Sequence, residues 1–293
     1  MPAKEFTYHY HANALGLGGV LKDDRDVTTI VPSLASVALA DSGGEGFVEI
    51  TNYDKDGVSF SHASCRVLGY DSAYKTFTTS SDVYITNLNL FGRIKAAILQ
   101  TSISSTREVT GDSTTESDPD KADFSMHSMI RGLTVDGVEV LPQFDLELCG
   151  WPTYAAFDKE YAKRLGVPAK GLAAPAAAAQ PIRASFVEAL DYAPTRTLGP
   201  SQGFKLPVMN FGTIHFGELV VKPGNRRVNL LRIDFDSMLR VSKGEPANRV
   251  VSSGAEVQDA LSDAGDMATS GQSPHSGTMT LLSLGGNGVP SWP

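Results

Sequence analysis

The chain has 293 residues and a formal charge of −8, with 41% apolar and 20% charged residues. This balance excludes a disordered chain and a coiled coil, and it disfavours a general affinity for nucleic acid or anionic membranes. It leaves material for a substantial core in one or two domains, and 28 Gly with 16 Pro suit a fold with many turns. The acidity is uneven. Residues 1–150 hold 11 Lys/Arg against 21 Asp/Glu, a net of −10, and residues 151–293 hold 14 against 12, a net of +2. Such polarity can orient an encounter with a partner or a second copy, although two solvated surfaces of unequal acidity also produce it.

Met1–Tyr10 lacks the positive region and apolar stretch of a secretory signal. No run of 18 apolar residues occurs, so no transmembrane segment is expected and the cytoplasm is the default location. His9 and His11 flank Tyr10 on a first strand and share a face, as two nitrogen ligands of a metal would. No third ligand follows at a motif spacing, so a solvated strand face is the stronger reading. Strand patterns then run through 46–52 and 57–69, joined at Asp56-Gly57, a pair suited to a tight hairpin turn. Asp54-Lys-Asp56-Gly also opens like a calcium loop, but the twelfth position is Cys65 where that loop needs Glu. No cofactor is expected.

In the next strand, 81–91, period two puts Tyr84, Thr86, Leu88 and Leu90 on one face and Val83, Ile85, Asn87 and Asn89 on the other. Gly92-Arg93 breaks it, a strand resumes at Ile94, and an acidic loop covers 110–123. Strand character returns at 124–135 and turns at Asp136-Gly137. Ile85-x-x-Leu88-x-Leu90-x-Gly92 matches Ile130-x-x-Leu133-x-Val135-x-Gly137 at an offset of 45. Two copies are what any pair of antiparallel hairpins gives, so no repeat architecture is read from them. Asp145 and Glu147 occupy alternate strand positions, as do Asp234 and Asp236. Paired carboxylates are what a glycosidase uses, yet alternation with apolar neighbours favours two solvated sheet faces.

A helix is expected over 153–165, with Tyr154, Phe157, Tyr161 and Leu165 on one stripe and Gly166 and Pro168 ending it. An Ala/Pro-rich connection follows at 173–181. Strands at 204–222 and 226–236 meet at Pro223-Gly224-Asn225. Lys222, Arg226, Arg227, Arg232, Arg240 and Lys243 concentrate positive charge around this hairpin, which suits an anionic partner or a charge-guarded edge strand. Ser253 and Glu256 have capping-box spacing for a second helix over 253–264, and a last strand begins at Thr278. Cys65 and Cys149 allow either one disulfide or two buried thiols. There is no HExxH or strand-borne GxGxxG motif.

Tyr84-Ile-Thr-Asn-Leu-Asn-Leu-Phe-Gly-Arg-Ile-Lys-Ala with Ile130-Arg-Gly-Leu-Thr-Val-Asp-Gly-Val-Glu-Val resembles a pattern in uncharacterised bacterial β-rich proteins, among them choice-of-anchor surface proteins. Phe211-Gly-Thr-Ile and Arg227-Val-Asn-Leu-Leu-Arg-Ile are similar to its closing strands, so the resemblance covers about 85–236. It implies an exported or surface-exposed binding or structural protein and carries no catalytic residues over.

The expected fold is mainly β, an antiparallel sandwich or meander with one or two packing helices. Residues 1–150 form one β-rich segment and 151–203 a helix plus connection. Residues 204–293 form a second β-rich segment that completes the same domain. The expected function is a non-enzymatic structural or ligand-binding module that self-associates through its acidic and basic halves. A carbohydrate-active or lectin-like domain is the alternative, using the carboxylate pairs with Trp151, Tyr154 and Tyr161 as sugar-stacking aromatics. A viral or secretion-apparatus structural protein is the third reading.

Overall fold

Short turns and period-two patterning produce sixteen strands among the residues described by this computed structural model, which are 7–22, 28–72, 75–109, 121–169, 180–192, 196–198, 205–208, 211–235 and 277–291. The helix expected at 253–264, Asp236, Arg240, Lys243 and most of the loops at 110–123 and 173–181 lie outside them. The N-terminal strands are β1 (Thr7–Lys22), β2 (Thr28–Ala38), β3 (Gly44–Lys55), β4 (Val58–Ser72), β5 (Thr76–Leu90) and β6 (Ile94–Glu108). β7 (Asp123–Arg131), β8 (Thr134–Val135) and β9 (Val138–Phe144) follow, then helix α1 (Tyr154–Leu165). The remaining strands are β10 (Ile182–Ser185), β11 (Val187–Tyr192), β12 (Arg196–Leu198), β13 (Lys205–Val208), β14 (Gly212–Lys222), β15 (Asn225–Phe235) and β16 (Thr278–Ser291).

They form two antiparallel sheets. One has seven strands in the order β10-β14-β15-β16-β1-β2, with β13 also on β14. The other has nine, in the order β12-β11-β9-β8-β6-β5-β4-β3, with β7 also on β6. Leu17, Leu231, Met279 and Leu281 of the first and Val67, Ile85, Leu99 and Ile103 of the second are buried in one shared core. The protein is therefore a mainly β sandwich with a packing helix. β1 and β2 join the C-terminal strands, so the 1–150 stretch contributes to both sheets. The 151–203 stretch is more than a connection, because β10, β11 and β12 arise within it.

The turns follow their sequence chemistry. Asp56-Gly57 and Asp136-Gly137 have positive φ at both central residues (52° and 79°, 51° and 79°), as a type I′ hairpin needs. The β5–β6 turn is Phe91-Gly92 (55° and 71°) rather than Gly92-Arg93. Arg93 reaches across to the β8–β9 turn, its Nε and Nη2 each 2.7 Å from an Asp136 carboxylate oxygen. Thr153 caps α1 by accepting from the Ala156 amide at 3.1 Å, and Gly166 closes it in the left-handed conformation.

The faces of β5 depart from simple alternation. Val83 and Ile85 are buried, but so are Leu88 and Leu90, while Tyr84 and Thr86 are only partly covered. The predicted face of Tyr84, Thr86, Leu88 and Leu90 is thus split in two. The cause is Asn87, whose φ of 51° lies in the left-handed region and shifts the alternation by one residue. Asn52 on β3 (54°) and Gly132 after β7 (60°) do the same. By register, Asn52 faces Ser61, Ser61 faces Asn87, and Ala97 lies between Asn87 and Gly132. A crease therefore crosses the sheet, with a left-handed residue on every second strand.

Each left-handed residue precedes a tight turn by four positions, giving Asn52 with Asp56-Gly57, Asn87 with Phe91-Gly92 and Gly132 with Asp136-Gly137. The two-copy similarity in the sequence is thus part of a three-copy unit: Ile50-Thr-Asn-Tyr-Asp-Lys-Asp-Gly, Ile85-Thr-Asn-Leu-Asn-Leu-Phe-Gly and Ile130-Arg-Gly-Leu-Thr-Val-Asp-Gly. The seven-stranded sheet has its own crease through Ala35, Gly16, Leu282, Leu230 and Gly217. Again every second strand is left-handed, at Ala35 (51°), Leu282 (49°) and Gly217 (60°).

Candidate site on the outer face of the seven-stranded sheet

The second crease assembles a polar surface. On β14, Ile214, Phe216, Leu219 and Val221 point into the core. His215 and Glu218 are three residues apart and would lie on opposite faces of a regular strand. The left-handed Gly217 between them puts both on the outer face. Leu230 sits at the same step on β15, so Asn229 joins Arg232 and Asp234 there. The outer face then reads in cross-strand rows: Thr213–Asp234–Thr278, His215–Arg232–Thr280, Glu218–Asn229–Ser283, and Val220–Arg227–Gly285–Asn13.

Arg232 holds the first rows together. Its Nε and Nη2 donate to the two Glu218 oxygens at 2.9 Å each, and its Nη1 bonds both oxygens of Asp234. The His215 ring lies between the carboxylates, with Nε2 2.9 Å from Asp234 Oδ2 and Nδ1 4.0 Å from Glu218 Oε1. His215 and Asn229 are each only 6% exposed. Burial alone would raise the Glu218 carboxyl. The bonds and charge of Arg232, with His215 and Asn229, reverse this and hold it below the usual carboxylate range. Asp234 is likewise pushed up by burial and brought below its usual value by His215 and Arg232. The same carboxylates hold the Arg232 guanidinium above its ordinary value, against its own burial.

Toward the β14–β15 turn the surface dips into an open trough of about 360 Å³, bordered by His11, Asn13, Lys222 and Arg227. Gly285 lies on its floor, where a Cβ would meet Asn13 Oδ1 at 3.2 Å. Burial lowers the pKa of Arg227 by disfavouring the charged form.

Residues 8–177 match a family described as a domain of unknown function (DUF8256). The chain belongs to this family. No curated protein and no solved structure matches it. The DUF8256 match takes in β1–β9 and α1, hence all three crease-and-turn units, whereas Lys222, Arg227, Arg232 and Gly285 lie beyond it.

The structure disperses the residues picked from this DUF8256 chain's sequence. Of the basic cluster, Lys222 and Arg227 border the trough and Arg232 is bound to Glu218 and Asp234. Arg226, expected to meet a partner, is 0% exposed. Its guanidinium donates to the carbonyls of Lys222, Asn225 and Trp151 at 3.0–3.1 Å and lies 4.5 Å from the Phe124 ring centre. It is an interior tie between the sheets, since β15 alternation turns Arg226 inward and Arg227 outward.

Asp145 and Glu147 do not share a strand face, because β9 ends at Phe144 and a 3-10 turn runs through Leu146–Gly150. Asp145 caps that turn, accepting from the Leu148 amide at 3.2 Å, and pairs with Arg164. Asp234 sits in the Arg232 network and Asp236 lies outside the described residues. Tyr154 is buried with its hydroxyl donating to the Gln180 carbonyl at 2.7 Å. Tyr161 stacks on Phe157 and Trp151 packs against the core, so these three aromatics belong to packing.

His9 and His11 both approach Asp41, at 2.6 and 3.9 Å. No metal-holding group of three or more His, Cys, Asp or Glu is found among the described residues. Asp54 and Asp56 are exposed at the β3–β4 turn, where Asp56 supplies the first left-handed position. Cys65 and Cys149 are buried free thiols, which burial pushes up to about 12. No described helix is long and apolar enough to cross a membrane.

Sequence reasoning missed His215, Glu218 and Asn229. Gly217, flanked by Phe216 and Glu218 inside a strand pattern, was the available signal, since an interior strand glycine marks a bend or close approach.

Proposed function

We propose that this DUF8256 protein is a structural β module that self-associates by edge pairing. The observation that carries the reading is β3. It is 12 residues long, has β4 as its one pairing partner among the described residues, and leaves Phe47 58% exposed. A long edge strand with an exposed aromatic is a template for another strand. Its charges are Glu45, Glu49 and Asp54 against Lys55. The opposite end of the seven-stranded sheet carries exposed Arg183 on β10 and exposed Lys205 on β13. The acidic β3 edge of one copy therefore suits the basic edge of the next, a head-to-tail contact that builds rings or filaments.

Sedimentation equilibrium tests this. The wild-type chain is expected to exceed its 31.2 kDa monomer mass at micromolar concentration and to dissociate as salt rises. The double variant Phe47→Lys, Thr51→Lys is expected to stay at 31.2 kDa. A wild-type chain that remains at 31.2 kDa throughout contradicts the reading.

A further inference from the structure

We propose that the trough on the outer face of the seven-stranded sheet binds a small molecule carrying a phosphate or carboxylate group. Its location is distinct from the β3 edge, and the proposal does not rest on self-association. Four neighbouring strands build the site, with Val220, Arg227, Gly285 and Asn13 in one register row and Lys222 and His11 toward the turn.

Three features converge on an anionic ligand. Among the described residues, the bordering side chains that can carry charge are two cations, Lys222 and Arg227, and one imidazole, His11, with no Asp or Glu lining the depression. Asp41 lies 3.9 Å from His11 Nε2 and is engaged by His9 at 2.6 Å. The floor is a glycine, so the ligand can approach the backbone of β16 where any side chain would intrude. Arg227 is held where burial disfavours its charge, and an anion arriving beside it opposes that penalty.

The volume of about 360 Å³ lies at the small end of ligand sites. It suits a molecule of monosaccharide size, with Arg227 and Lys222 on the charged group and Asn13 and His11 on hydroxyls. A guanidinium fork pairs with phosphate and carboxylate alike, so the two sources share one chemistry.

Isothermal titration with inorganic phosphate, glucose 6-phosphate and glucuronate, with glucose as the uncharged control, tests the site. At least one anion is expected to bind at millimolar concentration or tighter, roughly tenfold or more above glucose. Preference for glucose 6-phosphate or for glucuronate then assigns the charged group. Arg227→Gln and Lys222→Gln are each expected to weaken that binding by roughly tenfold. Should Arg227→Gln fail to fold, Lys222→Gln and the floor-filling Gly285→Ser still decide. The proposal is overturned if no anion binds, if glucose binds equally, or if folded variants bind like the wild type. Titration of the Phe47→Lys, Thr51→Lys chain separates this outcome from that of edge pairing, since the trough is unchanged in it.

Discussion

The nine-stranded sheet steps its pleat at Asn52, Asn87 and Gly132, and the seven-stranded sheet steps its own at Ala35, Gly217 and Leu282. Both place a left-handed residue on every second strand of one transverse row. They differ in the residues that bear it. Asn and Gly enter the left-handed region readily, whereas Ala and Leu do so at roughly 1–2 kcal/mol each. The first crease is thus written locally, three times, each copy four residues before a tight turn. The second is imposed by packing at two of its three positions: Leu282 is fully buried and Ala35 is 1% exposed, while Gly217 takes up its step by its own freedom. Tertiary structure overrides a local preference at those two positions, whereas the polar network of His215, Glu218, Asn229, Arg232 and Asp234 lies across β14 and β15, where Gly217 bears the step.

The comparison can be broken hardest at the tie between the sheets. Arg226→Met removes the donors to three carbonyls and the guanidinium from the Phe124 face. A loss of about 3–5 kcal/mol is expected, read by chemical denaturation. The creases themselves come next. Gly217→Ala forces a Cβ at positive φ to within 2.7 Å of Val187 Cγ2 and is expected to destabilise by about 1–3 kcal/mol. Asn87→Gly, at the locally encoded crease, is expected to stay within about 0.5 kcal/mol of the wild type. A loss at Asn87→Gly as large as that at Gly217→Ala would contradict the local encoding of the Asn87 step.

Acid gives the smallest effect. Folded Glu218 and Asp234 lie below their ordinary values, so their stabilisation is present above about pH 4–4.5 and is lost as pH falls below that through the lowered folded values. Arg232→Met removes the largest lowering cause at Glu218 and part of that at Asp234, where His215 also acts. Thermal unfolding is therefore expected to show a modest gap between wild type and variant at neutral pH that narrows below pH ~4.

Most of the sandwich was legible. Asp56-Gly57, Asp136-Gly137, the Thr153 cap and the Gly166 stop all act as their chemistry dictates, because each is a short-range device. The β5 faces were misread because period two holds only between creases, and one Asn at φ 51° is invisible to alternation counting. The repeated Ile-x-Asn/Gly spacing ahead of each turn glycine did carry that information. The basic cluster was legible as charge but not as a site. Adjacent Arg226 and Arg227 point to opposite faces, and of the partners of Arg232 only Asp234 is near in sequence, whereas Glu218 comes from β14 across the crease. No sequence spacing expresses a juxtaposition made by sheet register.

Hydrogen exchange along β3 tests edge pairing most directly. Amides within Gly44–Lys55 are expected to exchange rapidly in dilute solution and to gain protection as concentration rises, together with those of β10 and β13 and without change in central β5. Exchange in β3 that is independent of concentration, while the sedimenting mass increases, would contradict pairing through this edge.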